Sequence, residues 1–186
     1  MKLKKFTGIF LSILMLMSMI PIASAYAYSA EQATLTFSDS GITETAAGSG
    51  YTIDGTNLTI NSAGTYRIKG SSSEGAVTVA KGLSGVTLIL DSLTLTSSST
   101  APVVVKKSSS VLFKLVGASE ITNNEDAERE TTDPDNFEGA AIKIKSGSNA
   151  TFFGDGTLKV VGTPKNGIKG GAQSTITFDG GTYDVT

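Results

Sequence analysis

The sequence predicts an all-β protein, a single-stranded parallel β-helix of about four coils of ~26 residues with cap strands before them. Three observations carry this. The stretch 139–186 writes one pattern twice, so that Ile142 returns as Ile168 and Phe152 returns as Phe178 at one and the same offset. Each copy is three short runs of alternating apolar and polar residues separated by Gly, Ser, Asn and Asp, the signature of short strands and turns. Read backwards, Val77 and Val103 are separated by that offset again, and Val103 to Ile142 is one period plus an excess that falls in an acidic run. Strand-only repeats of this length stack as a solenoid.

The first element is a leader. Lys2, Lys4 and Lys5 precede an apolar run over residues 6–20, and Ala23-Ser24-Ala25 and Ala25-Tyr26-Ala27 are overlapping small-x-small cleavage sites. Residues 1–27 therefore read as a secretory signal peptide cut after Ala25 or Ala27, and a secreted or cell-surface protein is expected, with no membrane segment after cleavage. Three of the 15 Lys and Arg fall in the leader, leaving 12 against 17 Asp and Glu, a balance that does not favour nucleic acid. The chain has no Cys and no His. Disulfides, thiol chemistry, His-based acid–base catalysis and ordinary zinc sites are thereby excluded.

Residues 28–74 form the cap. Ala33–Phe37, Tyr51–Thr56, Leu58–Ile60 and Thr65–Ile68 alternate as short strands between turn residues, but outside the period, and a cap would cover the first coil's edge. Residues 75–186 are the coils. Their register makes columns of like residues: Val86, Val111, Ala150 and Ile176; Leu88, Phe113, Phe152 and Phe178; Leu95, Ile121, Val160 and Val185. These face the interior, because side chains alternate across a strand. Residues 174–186 contain neither Pro nor Lys to blunt the last coil, so further coils or another chain are expected over that end.

Two constellations could carry chemistry. Residues 123–138 hold seven carboxylates and one Arg, and Asp133, Asp135, Asn136 and Glu138 are spaced to offer oxygens to Ca²⁺, with a solvated acidic loop as the alternative. The register also turns Lys143 and Lys169 outward on adjacent coils and places Lys106 beside Lys145. Such a ladder is either a soluble face or a cationic strip for an acidic polysaccharide. Phe153 is the ring the register turns outward and is counted with the four lysines as ligand-binding, while the neighbouring outward Ile89 and Leu112 imply that something covers that side. Arg67 and Arg129 are the only arginines, and neither is placed as a lyase base.

The order of several short segments adds a resemblance. Ser38-Asp39-Ser40-Gly41-Ile42-Thr43, Asp54-Gly55-Thr56, Ala63-Gly64-Thr65-Tyr66-Arg67-Ile68-Lys69-Gly70, Ala140-Ala141-Ile142, Asn166-Gly167-Ile168-Lys169 and Gly180-Gly181-Thr182-Tyr183 occur as in clostridial-type secreted carbohydrate-binding domain proteins. The resemblance covers about residues 34–186 and implies a right-handed parallel β-helix of pectate-lyase shape that binds pectin or cellulose with Ca²⁺. The family domain continues through further coils, so sites built there have no counterpart here. A non-catalytic binder of acidic pectin (polygalacturonate), with cellulose as a further ligand, is the expected function. An adhesin-like structural solenoid and a pectate-lyase-type enzyme are the alternatives.

Overall fold

A computed structural model describes residues 26–186. The expected signal peptide, except Tyr26 and Ala27, lies outside the described residues. Among the described residues every element but one is a strand: β1 (Glu31–Ser38), β2 (Gly41–Ala46), β3 (Tyr51–Asp54), β4 (Asn57–Ile60), β5 (Gly64–Ser72), β6 (Ala76–Val79), β7 (Val86–Ser97), β8 (Val103–Val105), β9 (Ser110–Val116), β10 (Ala118–Asn123), β11 (Ala140–Ile144), β12 (Asn149–Gly162), β13 (Asn166–Gly170) and β14 (Thr175–Val185). The exception is a single helical turn, α1 (Arg129–Thr132).

The strands form two mixed sheets and not the single-stranded parallel β-helix of regular three-strand coils that the repeat predicts. One sheet has eight strands, ordered β10-β12-β9-β7-β5-β1-β2 with β14 on β12; the other has six, ordered β13-β11-β8-β6-β4-β3. Two physical causes separate this from the expectation. The second and third strands of a predicted coil are one continuous, bent strand in β7, β12 and β14, so they share a sheet instead of forming separate faces. The two sheets also begin in antiparallel hairpins, β1–β2 and β3–β4. The bend in β12 needs Gly154: its φ is +110°, and a Cβ there would sit 2.5 Å from the Leu115 carbonyl oxygen.

Within the sheets the paired columns hold. Val77 pairs with Val103, Val103 with Ile142 and Ile142 with Ile168, all in parallel. Leu88, Phe113, Phe152 and Phe178 are paired in succession, as are Leu95, Ile121, Val160 and Val185. Parallel stacking also extends before Val77, with Leu58 on Val77 and Ile68 on Leu90. Both sheets contribute to one core, in which Val77, Ile142, Leu88, Phe113 and Phe152 are fully buried. The rings of Phe113 and Phe152 stack at 4.6 Å, and those of Phe152 and Phe178 at 5.4 Å.

Serine side chains tie neighbouring layers together at the turns that leave the six-stranded sheet. The Ser109 amide donates to Ser148 Oγ (3.1 Å), whose hydroxyl donates to the Lys106 carbonyl (2.9 Å). Ser109 Oγ in turn accepts from the Leu83 amide and donates to the Ala80 carbonyl. Ser109 and Ser148 are buried, so each serine satisfies a backbone group that would otherwise lack a partner.

Candidate functional site

Between β10 and β11 the acidic insertion folds back on the six-stranded sheet, and its base explains how. The Asn123 amide group donates to the Ala140 carbonyl (2.9 Å) and to Glu125 Oε2 (2.8 Å). The buried Glu125 carboxylate also accepts from the Gly139 amide (2.9 Å) and the Glu138 amide (3.1 Å). One buried carboxylate thus closes both ends of the loop. Arg129 stands 3.5 Å from Glu125 and 3.2 Å from Asp133, and donates to the Ser99 carbonyl, fastening α1 to the turn after β7.

The closed loop delivers Glu138 to the lysine ladder. Lys143 on β11 pairs in register with Lys169 on β13, and Lys106 and Lys145 follow the paired residues Val105 and Ile144. Side chains alternate across a strand and adjacent strands lie about 4.8 Å apart, so Lys143 and Lys169 start from one face of the sheet, with Lys106 and Lys145 directly past the ends of β8 and β11. Glu138 reaches two of them with a single carboxylate: Oε1 lies 2.6 Å from Lys145 Nζ and Oε2 lies 3.4 Å from Lys143 Nζ. Lys143 Nζ also donates to the Glu138 carbonyl. Burial pushes the Lys143 ammonium below its ordinary pKa, Glu138 opposes that shift, and the charges of Lys169 and Lys145 add to it. Lys106 is exposed.

The four residues expected to hold Ca²⁺ do not converge on one point, and three of them have protein partners of their own. The Asp133 carboxylate accepts from Asn136 Nδ2 (2.8 Å) and from Arg129, and its pKa is lowered by those bonds in that order. Glu138 is held by the two lysines, and Asp135 is exposed. Among the described residues no group of three or more carboxylates converges as a metal site would require. Another carboxylate of the run, Glu130, is paired with Lys165.

Phe153 is not an open platform: only 1% of it is exposed. The Tyr26 ring lies 4.7 Å away and the Tyr28 ring 6.4 Å away, and Lys114 Nζ sits 4.8 Å above the Tyr28 ring. The segment before β1 therefore covers this side of the eight-stranded sheet, as the outward Ile89 implied. Glu125 and the loop closure were not anticipated. The available signal was Asn123-Asn124-Glu125 directly after a strand, since Asn commonly bonds backbone two residues on; here the Glu125 amide donates to Asn123 Oδ1 at 2.7 Å.

The strands that carry this site, β4 to β14, fall within residues 54–186, the stretch matched by the model of the carbohydrate-binding domain-containing protein family. The chain belongs to this family. No curated protein matches it. Among solved structures the chain is similar to the polysaccharide lyase-like protein from C. thermocellum, determined as a gadolinium derivative, with a TM-score of 0.61 and 20% identity over 82% of this chain and 60% of that one. This member of the carbohydrate-binding domain family thus spans about three fifths of that protein's length, and at this identity the likeness carries the fold alone.

Proposed function

We propose that the protein is an exported, non-catalytic binder of a carboxylate-bearing polysaccharide, with polygalacturonate as the closest chemical fit. The observation that supports this most is the parallel pairing that sets Lys143 and Lys169 on one face, with Lys106 and Lys145 directly past the ends of β8 and β11. Like charges at that spacing repel, so they add nothing to folding by themselves. A polymer with one carboxylate per sugar supplies the matching charges in a row. A catalytic role has less support: Glu31 and Asp91 hold Arg67 protonated, and Arg129 is engaged by Glu125, Asp133 and the Ser99 carbonyl, so neither stands free in the place of a lyase base. With Phe153 covered, the ring best placed to stack on a neutral glucan is withdrawn, and cellulose serves as the control.

The test is retention of the mature chain on immobilised polygalacturonate and on cellulose, both in the presence of a chelator. Retention on polygalacturonate alone is expected. The double variant Lys106→Gln, Lys169→Gln should then bind the acidic polymer several-fold more weakly, because each substitution removes one screened charge contact. Equal retention of parent and double variant would reduce the ladder to a soluble face.

A further inference from the structure

Glu138 occupies the place a ligand carboxylate would take. Its two oxygens bridge Lys145 and Lys143, its side chain is 18% exposed, and the two lysine side chains are 32% and 16% exposed. Two ammonium groups converging on one carboxylate is the arrangement that recognises a uronate. Besides these side-chain ion pairs, Glu138 is anchored through its backbone. The Glu138 amide donates to the buried Glu125, and its carbonyl accepts from Lys143 Nζ. Rotation about the side-chain bonds alone would free both oxygens and leave the loop closed. The two lysines would then have lost the charge that neutralises them, and Lys143 is half-buried, so the vacated position favours another anion over water. On either side the vacated pair is continued by Lys169, in register with Lys143, and by Lys106, level with Lys145.

We propose that Lys143 and Lys145 form a carboxylate-binding subsite which Glu138 fills in cis, and that a uronate carboxylate of the polysaccharide displaces Glu138 on binding. This rests on the acidic-polysaccharide reading above. Glu138 acts as a built-in competitor. A site that is open in only a fraction of molecules binds with its affinity reduced by that fraction. An open fraction of about one tenth therefore weakens binding about tenfold. The arrangement selects for polymers over free uronates, because neighbouring sugars on Lys106 and Lys169 must supply the free energy of displacement.

Titration calorimetry with a short galacturonate oligomer, and with its neutral methyl ester, tests this on the mature chain. Glu138→Gln keeps the length and one acceptor oxygen while removing the charge. It should bind the acidic oligomer about tenfold more tightly than the parent and leave the ester unchanged. Adding Lys143→Gln and Lys145→Gln to Glu138→Gln should cancel the gain. If the parent binds and Glu138→Gln binds no more tightly, the cis competitor is overturned while the polysaccharide reading stands. If neither binds, both fall. Should Glu138→Gln fail to fold, carboxyl-detected NMR of the parent decides: the Glu138 side-chain carboxyl signal must move as oligomer is added, and a stationary signal overturns the proposal.

Discussion

At the scale of single residues, several charges of this protein are paired with one another across elements. Arg67 on β5 donates to Glu31 (2.9 Å from Nε) and to Asp91 (2.7 Å), joining β1, β5 and β7 across the eight-stranded sheet. The hydrogen bond from Arg67 holds the Glu31 carboxyl below its ordinary 4.5, against the opposing effect of burial. A carboxylate with a lowered folded pKa contributes stability that is complete above its unfolded value and lost as pH falls through the folded one. The contribution of this pair to the unfolding free energy, measured by urea against a Glu31→Gln reference, should therefore be constant above about pH 4.5 and decline below it. An identical acid profile in the two proteins would mean the pair contributes nothing. Lys143, Lys145 and Lys165 are likewise paired, which residue types alone did not reveal, since their partners lie in the insertion.

At the scale of strands, the pairing of the apolar columns was legible, although Phe178 and Val185 in the last layer are 49% and 45% exposed and not interior. Phe113, Phe152 and Phe178 stack as their spacing required, and Val77, Val103, Ile142 and Ile168 pair in order. Phe152→Ala removes the middle ring, and loss of a buried Phe costs about 3–5 kcal/mol. A shift of the urea midpoint consistent with that loss is expected, and a loss under about 1 kcal/mol would mean that Phe113 and Phe178 close the gap. What could not be read was how runs join. Nothing in an alternating pattern separates two strands meeting at a corner from one strand bent at a glycine such as Gly154, so three strands per period were expected where β7 and β12 are continuous. The parallel layer of β4 and β5 escaped notice for a different reason. The steps from Leu58 to Val77 and from Ile68 to Leu90 are both shorter than the step from Val77 to Val103, so this layer is out of phase with the repeat that follows it.

At the scale of the whole molecule, the lysine face and the acidic insertion make a surface on which opposite charges are close neighbours, and binding there should be governed by ionic strength. The Debye length shrinks to about 3 Å in 1 M salt, less than the spacing of neighbouring strands. Retention on polygalacturonate should accordingly be lost on raising salt from about 0.05 to about 1 M (about 14 to about 3 Å of screening), and salt-independent retention would point to contacts other than the ladder. The face itself was legible because the register was. Its occupation by Glu138 was not, since the contact depends on how residues 124–139 close, and no periodicity governs a segment without one. That closure has a consequence for how such a protein changes over time. The chain between Val103 and Ile142 is longer than that between Ile142 and Ile168, yet both pairs match as cleanly, so the strand pairing takes no notice of how much chain lies between Glu125 and Gly139. The clamp at the base isolates the loop's contents from the core. Because Glu125 ties down the Glu138 and Gly139 amides, residues 126–137 can be lengthened, trimmed or exchanged while the paired layers and the place of Glu138 before the lysines are kept. This corner is where the architecture can absorb an insertion or a deletion in a single genetic step without re-laying the interior.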